Sequence, residues 1–225
     1  MAKSFNEKDR ENKVYLIARD VNIIANQKYN IGKDFAHTSI VMIPDNQDEF
    51  FAKDGKLKEK YIKLGYPVAE NFGNEKGWIV GGFNGEANKG EMKGKLVVRI
   101  NDTTDVEVFN KINNRKNTTD LNGEILKEIK LKNISDTELI NKIIANSIIY
   151  QKNTNYQNYF PVPIHFKGYN EEIGEEFYIR CGYNCNSFSN TILRNVGINN
   201  PFERINSQRS IPGKNILVPF EESEK

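Results

Sequence analysis

The chain has 225 residues, 38% of them hydrophobic and 28% charged, which is enough apolar material for one substantial core beneath a polar surface. Its formal net charge is only +2, with Lys and Arg interspersed among Asp and Glu, and this argues against a nucleic-acid surface. Two cysteines and two histidines exclude a disulfide framework and make the search for thiol chemistry short.

Residues 1–13 lack the apolar segment of a secretory signal, and no run approaches the roughly eighteen apolar residues that span a bilayer. The expectation is synthesis as a soluble cytoplasmic chain, with dedicated export machinery if the protein acts elsewhere. Val14 to Ala18 reads as a first buried strand, and residues 26–34 as a polar connection. Ala36 to Ile43 reads as a second strand, stopped by Pro44-Asp45-Asn46, and the short link predicts an antiparallel pair. Alternation places His37, Ser39 and Val41 on one face and Thr38, Ile40 and Met42 on the other.

Lys56 to Leu64 is expected to hold one or two helical turns. Trp78 to Phe83 is a third strand, whose Gly81-Gly82 predicts close backbone approach or a bulge, and Lys95 to Ile100 is a fourth. Asp102 or Thr103 caps a short helix with Val106, Phe109 and Ile112 on one side; residues 113–122 read as an exposed loop. Ser135-Asp-Thr-Glu138 is a capping box opening a helix to about Tyr150. Tyr156 to Pro163 reads as an extended crossover, Glu176 to Arg180 as a strand, and Ile216 to Val218 as an edge strand. The last helix runs from about Asn184 to Val196 and ends at Gly197, a natural residue for a helix stop.

That last helix carries the chemistry. Cys185 falls in its first turn, where unpaired backbone N–H groups and the positive end of the dipole stabilise a thiolate. The same N–H groups can bind an oxyanion, with Asn184 or Asn186 as an added donor. The competing reading is that Cys185 is a small buried hydrophobe. A Cys181–Cys185 disulfide is disfavoured by cytoplasmic synthesis, and Cys-x-x-x-Cys with scattered histidines does not match structural zinc, so no metal or cofactor is expected. A nucleophilic thiol needs a base. The choice lies between His37, in an apolar strand, and His165, in the proline-rich crossover.

A strand-borne histidine early in the chain and a helix-opening cysteine late in it resemble the circularly permuted papain-like families, including permuted NlpC-type amidases and PPPDE peptidases. The resemblance rests on Phe35-Ala-His-Thr-Ser-Ile-Val-Met42 and on Tyr183-Asn-Cys-Asn-Ser-Phe-Ser-Asn-Thr-Ile-Leu193. With the preceding strand these cover about a quarter of the chain. The resemblance implies a single α+β catalytic domain over residues 1–225, with a central antiparallel sheet, the nucleophile helix packed on it and insertions at about 45–75 and 102–133. It implies Cys185 as nucleophile and His37 as general base. There is no clean motif for a third residue: Asn84 and Ser39 are the candidates to orient His37, and Asn184 and Tyr183 to serve the oxyanion.

The function expected from this resemblance is amidase or peptidase chemistry through an acyl-enzyme, on a peptide-like substrate such as the stem peptides of peptidoglycan. The protein would then be an exported effector or toxin, whose delivery or immunity partner the sequence does not identify. Two alternatives stand beside it. One is a lipid acyl hydrolase or acyltransferase on the same scaffold, like the lecithin:retinol acyltransferase-like proteins; the other is a binding domain in which Cys185 is merely buried.

Overall fold

Alternation in the second strand organises the molecule, because its two faces support two different layers. A computed structural model describes residues 13–21, 35–86, 94–114, 123–153, 157–170, 174–205, 207 and 210–219. The strands are β1 (Val14–Asp20), β2 (Ala36–Met42), β3 (Glu70–Phe72), β4 (Glu75–Asn84), β5 (Gly94–Ile100), β6 (Gly123–Glu128), β7 (Asn158–Tyr159), β8 (Ile164–Asn170) and β9 (Glu175–Cys181). The helices are α1 (Gln47–Phe50), α2 (Glu59–Lys63), α3 (Thr103–Asn114), α4 (Asp136–Asn153) and α5 (Cys185–Asn195).

The chain is a mixed α+β protein built on a curled antiparallel sheet ordered β6-β1-β2-β4-β5-β7, with β3 also on β4 and β8-β9 as a separate hairpin. Leu16, Ile40, Met42, Val80 and Leu96 bury one face under α4 and α5, through Ile140, Ile144, Phe188 and Ile192. Tyr15, Ile17, Val41 and Ile79 bury the other face with Phe109 of α3. Asp102 caps α3, its Oδ1 accepting from the Thr104 N–H at 3.2 Å, and Ser135 caps α4, its Oγ accepting from the Glu138 N–H at 3.2 Å. Among the described residues no helix is long and apolar enough to cross a membrane.

Gly81 and Gly82 serve close approach, one to each face; the β4 pairings run in register through both, so there is no bulge. A Cβ on Gly82 would sit 2.8 Å from Cβ of Phe188, so its absence lets α5 lie on the sheet. A Cβ on Gly81 would sit 2.7 Å from Ser39 Oγ and 3.3 Å from Asp105 Oδ2 on the opposite face. The 2.8 Å and 2.7 Å contacts are closer than real Cβ atoms come, so any larger residue at either position would displace Phe188 or Ser39.

Several expectations are corrected. The segment holding His165, read as part of the crossover, is a strand, Ile164–Asn170, paired with β9, and its Ile164-His-Phe-Lys167 does alternate apolar and polar residues; Gly123–Glu128, which lacks such alternation, is a further strand, paired with β1. Ile216 to Val218 is not a strand: the tail crosses α5 irregularly, held by side chains of that helix. Asn113 and Asn114 belong to α3, while residues 26–34 and 115–122 lie outside the described residues. Residues 45–75 build an aromatic cap in which Phe50, Phe51 and Tyr66 surround Trp78. Trp78 pairs with Met42, at the end of β2 remote from Ala36 and the N-terminus of α5, so this segment does not border Cys185.

Candidate active site

The first turn of α5 fills a gap in the sheet. Pairing of β2 with β4 begins at Ser39 opposite Gly81, leaving the outer edge of Ala36 to Thr38 without β4. Ser210 takes part of that edge, its carbonyl accepting from the Ala36 N–H at 2.9 Å. Asn186 takes more: its Nδ2 donates to Ala36 O at 3.1 Å and to Pro212 O at 2.9 Å, and its Oδ1 accepts from Thr38 Oγ1 at 2.9 Å. The Cys185 thiol lies in the same gap, 4.0 Å from Ala36 O and hydrogen-bonded by the Thr38 backbone N–H. This edge position solves a topological problem. By alternation His37 faces away from α5, yet a thiol level with the β2 backbone is within its reach.

Asn184 is the N-cap of α5, in a capping box with Ser187. Its Oδ1 accepts from the Ser187 N–H at 3.0 Å, and its Nδ2 donates to the carbonyls of Pro161 and Pro212, each at 2.9 Å. Both amide protons are thus committed to backbone, which corrects the expectation that Asn184 serves an oxyanion. Tyr183 is 7% exposed and packs in the core.

On the other side of β2, Arg19 and His37 are direct cross-strand partners in the β1–β2 register. Two cations so placed repel unless an anion lies between them. Asp105 of α3 supplies it. Its Oδ1 accepts from Arg19 Nε at 2.5 Å, and its Oδ2 lies 3.2 Å from His37 Nε2. Ser39 donates a short hydrogen bond to the same Oδ2, and its oxygen lies 3.1 Å from His37 Nε2. The Phe83 ring packs on the imidazole with centroids 4.7 Å apart. With Nε2 held by Asp105 and Ser39, Nδ1 is the ring nitrogen left to face the thiol.

All three titrating groups are almost wholly enclosed: Asp105 is 1% exposed, Cys185 2% and His37 6%. Burial and the Arg19 charge push His37 down, but the charges of Asp105 and the Cys185 thiolate and the hydrogen bond His37 donates to Asp105 together raise its pKa to about 9. Burial pushes the Cys185 thiol up. The His37 charge and hydrogen bond, the Thr38 N–H and the Arg19 charge outweigh that and hold it below the usual thiol value. Asp105 is disfavoured by burial, yet the His37 and Arg19 charges and its hydrogen bonds keep it well below the carboxylate range. The shifts of Asp105, His37 and Cys185 thus all favour a chain of alternating charge that runs from Arg19 through Asp105 and His37 to Cys185. Tyr159 of β7 also hydrogen-bonds to Cys185; burial first, then the thiolate charge, raises its phenol far above 10, so it stays a proton donor.

The structure brings together Cys185, His37 and Ser39, and adds Asp105, which the sequence reading missed. Asn84 is not the orienting group. Gly82 faces Phe188 of α5 and Phe83 faces His37, so Asn84 sits on the α5 side, where its Oδ1 accepts from the Glu86 N–H at 3.0 Å. His165 and Cys181 lie on the paired strands β8 and β9, in a hairpin separate from the main sheet; their side chains fall outside the described residues. The signal for Asp105 was local and weak, an acidic residue in the first turn of a capped helix, a position more often explained by the helix dipole. Among the described residues no cluster of three or more His, Cys, Asp or Glu side chains could hold a metal ion. A groove lined by Lys63, Leu64, Ile100, Ile148 and Lys152 lies at the other end of β5 from Tyr159 and has no cysteine, histidine or carboxylate in its lining.

Compared with family models, curated proteins and solved structures, the chain matches none of them.

Proposed function

We propose that the protein is a cysteine hydrolase cleaving an amide bond, with Cys185 as nucleophile, His37 as acid–base partner and Asp105 as the group that orients His37. One observation carries the reading: a thiol at a helix N-terminus meets the imidazole whose far nitrogen is bound by a buried carboxylate. The proposed fold is permuted papain-like. Support comes from the histidine on an early strand and the cysteine on a late helix docked against an antiparallel sheet. The carboxylate arrives from α3 on the opposite face, within the segment expected to be an insertion.

In the proposed reaction the Cys185 thiolate attacks the substrate carbonyl carbon and a C–S bond forms. The oxyanion takes hydrogen bonds from the first-turn N–H of α5 and the Tyr159 hydroxyl. The His37 imidazolium gives its Nδ1 proton to the departing amine nitrogen as the C–N bond breaks, leaving a thioester. His37, now neutral, takes a proton from water; the hydroxide attacks the thioester, the C–S bond breaks, and carboxylate and thiolate are released. Asp105 remains ionised throughout and stabilises the imidazolium.

A peptide-like substrate is the reading to test first, with peptidoglycan stem peptides as the leading case. If peptidoglycan is the target, the protein acts as an exported effector with a delivery or immunity partner. Purified peptidoglycan, a mixed peptide library and phospholipid vesicles would each be incubated with the protein and the products read by mass spectrometry. New amine and carboxylate ends from the first two, lost in Cys185→Ala and His37→Ala, are the expected result. Fatty acid released from vesicles with both peptide substrates intact would move the assignment to a lipid acyl hydrolase.

A further inference from the structure

We propose that Arg19 is a positioning residue for this site, clamping one oxygen of Asp105 so that the other is aimed at His37, and setting by its charge the pH range over which the thiolate–imidazolium pair exists. The inference rests on the reading of Cys185 and His37 as a reactive pair and assigns a function to a residue that pair does not contain.

The geometry is built for this. Arg19 side-chain atoms are 8% exposed and those of Asp105 1%, so the bond from Arg19 Nε to Asp105 Oδ1 at 2.5 Å is shielded from water. Arg19 Nη1 donates to Asp20 O at 3.1 Å, which fixes the guanidinium plane against its own strand. Asp105 stands in the first turn of α3 and carries the buried partners of both cross-strand cations. Without Arg19, Oδ1 of a fully buried carboxylate would lose its strong donor, and the carboxylate could turn about its side-chain bond. A carboxylate that turns no longer aims Oδ2 at Nε2, and an imidazole free to tilt no longer aims Nδ1 at the thiol.

The charges facing the site are few and can be named. Arg19 comes from β1, Asp105 from α3, Cys185 from α5 and Tyr159 from β7. Arg99 of β5 lies over the Phe83 ring, 5.0 Å from its centroid, and pairs with Asp102. Arg19 acts on both members of the pair in the same sense: it opposes protonation of His37 and favours ionisation of Cys185. Both groups therefore titrate at lower pH than they would without it. A residue that only packed would not move both in the same direction.

The test needs no substrate. Carbamidomethylation of Cys185 by iodoacetamide is followed against pH in a Cys181→Ser background, and the His37 ring is titrated by NMR in a His165→Gln background. Arg19→Gln should move both transitions to higher pH, cutting the alkylation rate at pH 6 about tenfold, as for a shift of about one pH unit. Arg19→Lys, which keeps the charge, should restore the transitions while leaving His37 less rigidly held. If Arg19→Gln does not fold, the unmodified protein still decides: the Arg19 Nε–H resonance should shift as His37 titrates near pH 9. Fast alkylation with unmoved transitions in Arg19→Gln, or an Arg19 resonance indifferent to His37, would overturn the proposal. Slow alkylation of Cys185 in the unmodified protein would instead sink the hydrolase reading on which it rests.

Discussion

Helices α4 and α5 lie on the same face of one sheet, yet they are held there by different physics. In α4, Leu139, Ile140, Ile143, Ile144 and Tyr150 face the core, while Glu138 and Lys142 form an exposed i,i+4 ion pair at 2.9 Å. In α5 every residue from Cys185 to Leu193 is buried, polar ones included. Phe188 and Ile192 meet the sheet, and the polar residues meet backbone. Ser187 donates to Gly213 O at 3.2 Å, Asn190 to Ile216 O at 3.3 Å, and Thr191 accepts from the Val218 N–H at 2.8 Å. The C-terminal strap supplies what water would otherwise supply. Amphipathicity is thus enough to dock a structural helix, whereas the helix that aims a thiol is fixed on every side.

The comparison breaks most sharply where α5 meets the sheet. Phe188→Ala should cost about 3–5 kcal/mol in chemical denaturation, through lost burial and the cavity left over Gly82. Asn186→Leu should cost about 1–3 kcal/mol, because Ala36 O loses its amide donor in a buried site, while Pro212 O and Thr38 Oγ1 keep Asn184 Nδ2 and Ser189 Oγ as partners. Removing the exposed pair on α4 with Glu138→Gln should change stability by only about 0.3–0.5 kcal/mol. If Asn186→Leu proved as mild as Glu138→Gln, the strap would not be the anchor described.

Acid and alkali sharpen the same contrast, since the ion pair of α4 is exposed while the charges beside α5 are buried. Asp105 has a folded pKa below its unfolded value, so its contribution to stability is present above about pH 4 and is lost as pH falls through the folded value. His37 has a folded pKa raised from 6.5 to about 9; its contribution is present below 6.5 and is lost as pH rises through about 9. Asp105→Asn should therefore flatten the acid limb of a stability–pH profile. Turnover should also fall above about pH 9, where His37 can no longer protonate the leaving amine, while alkylation of the thiolate continues.

How much of this was legible in the sequence follows from the same contrast. The N-cap at Ser135, the α5 boundaries at Asn184 and Gly197 and the two faces of β2 are local patterns, and each is found where the sequence pattern placed it. Asp105 was not legible: it is distant in sequence from both Arg19 and His37, and only the fold of α3 across β1 puts it between them. The burial of the Asn and Ser side chains of α5 was not legible either, because their partners are carbonyls of a tail without periodicity. His37 and Cys185 could be named singly, but their meeting depends on β2 and β4 parting before Ser39.

The account stands on that meeting, and one measurement addresses it directly: the rate of Cys185 alkylation by iodoacetamide at pH 6 in the Cys181→Ser background, with and without His37→Ala. A thiolate held by imidazolium predicts rapid labelling that falls at least tenfold when His37 is removed. Slow labelling, unchanged by His37→Ala, would mean that Cys185 is only a buried hydrophobe at the end of a well-packed helix.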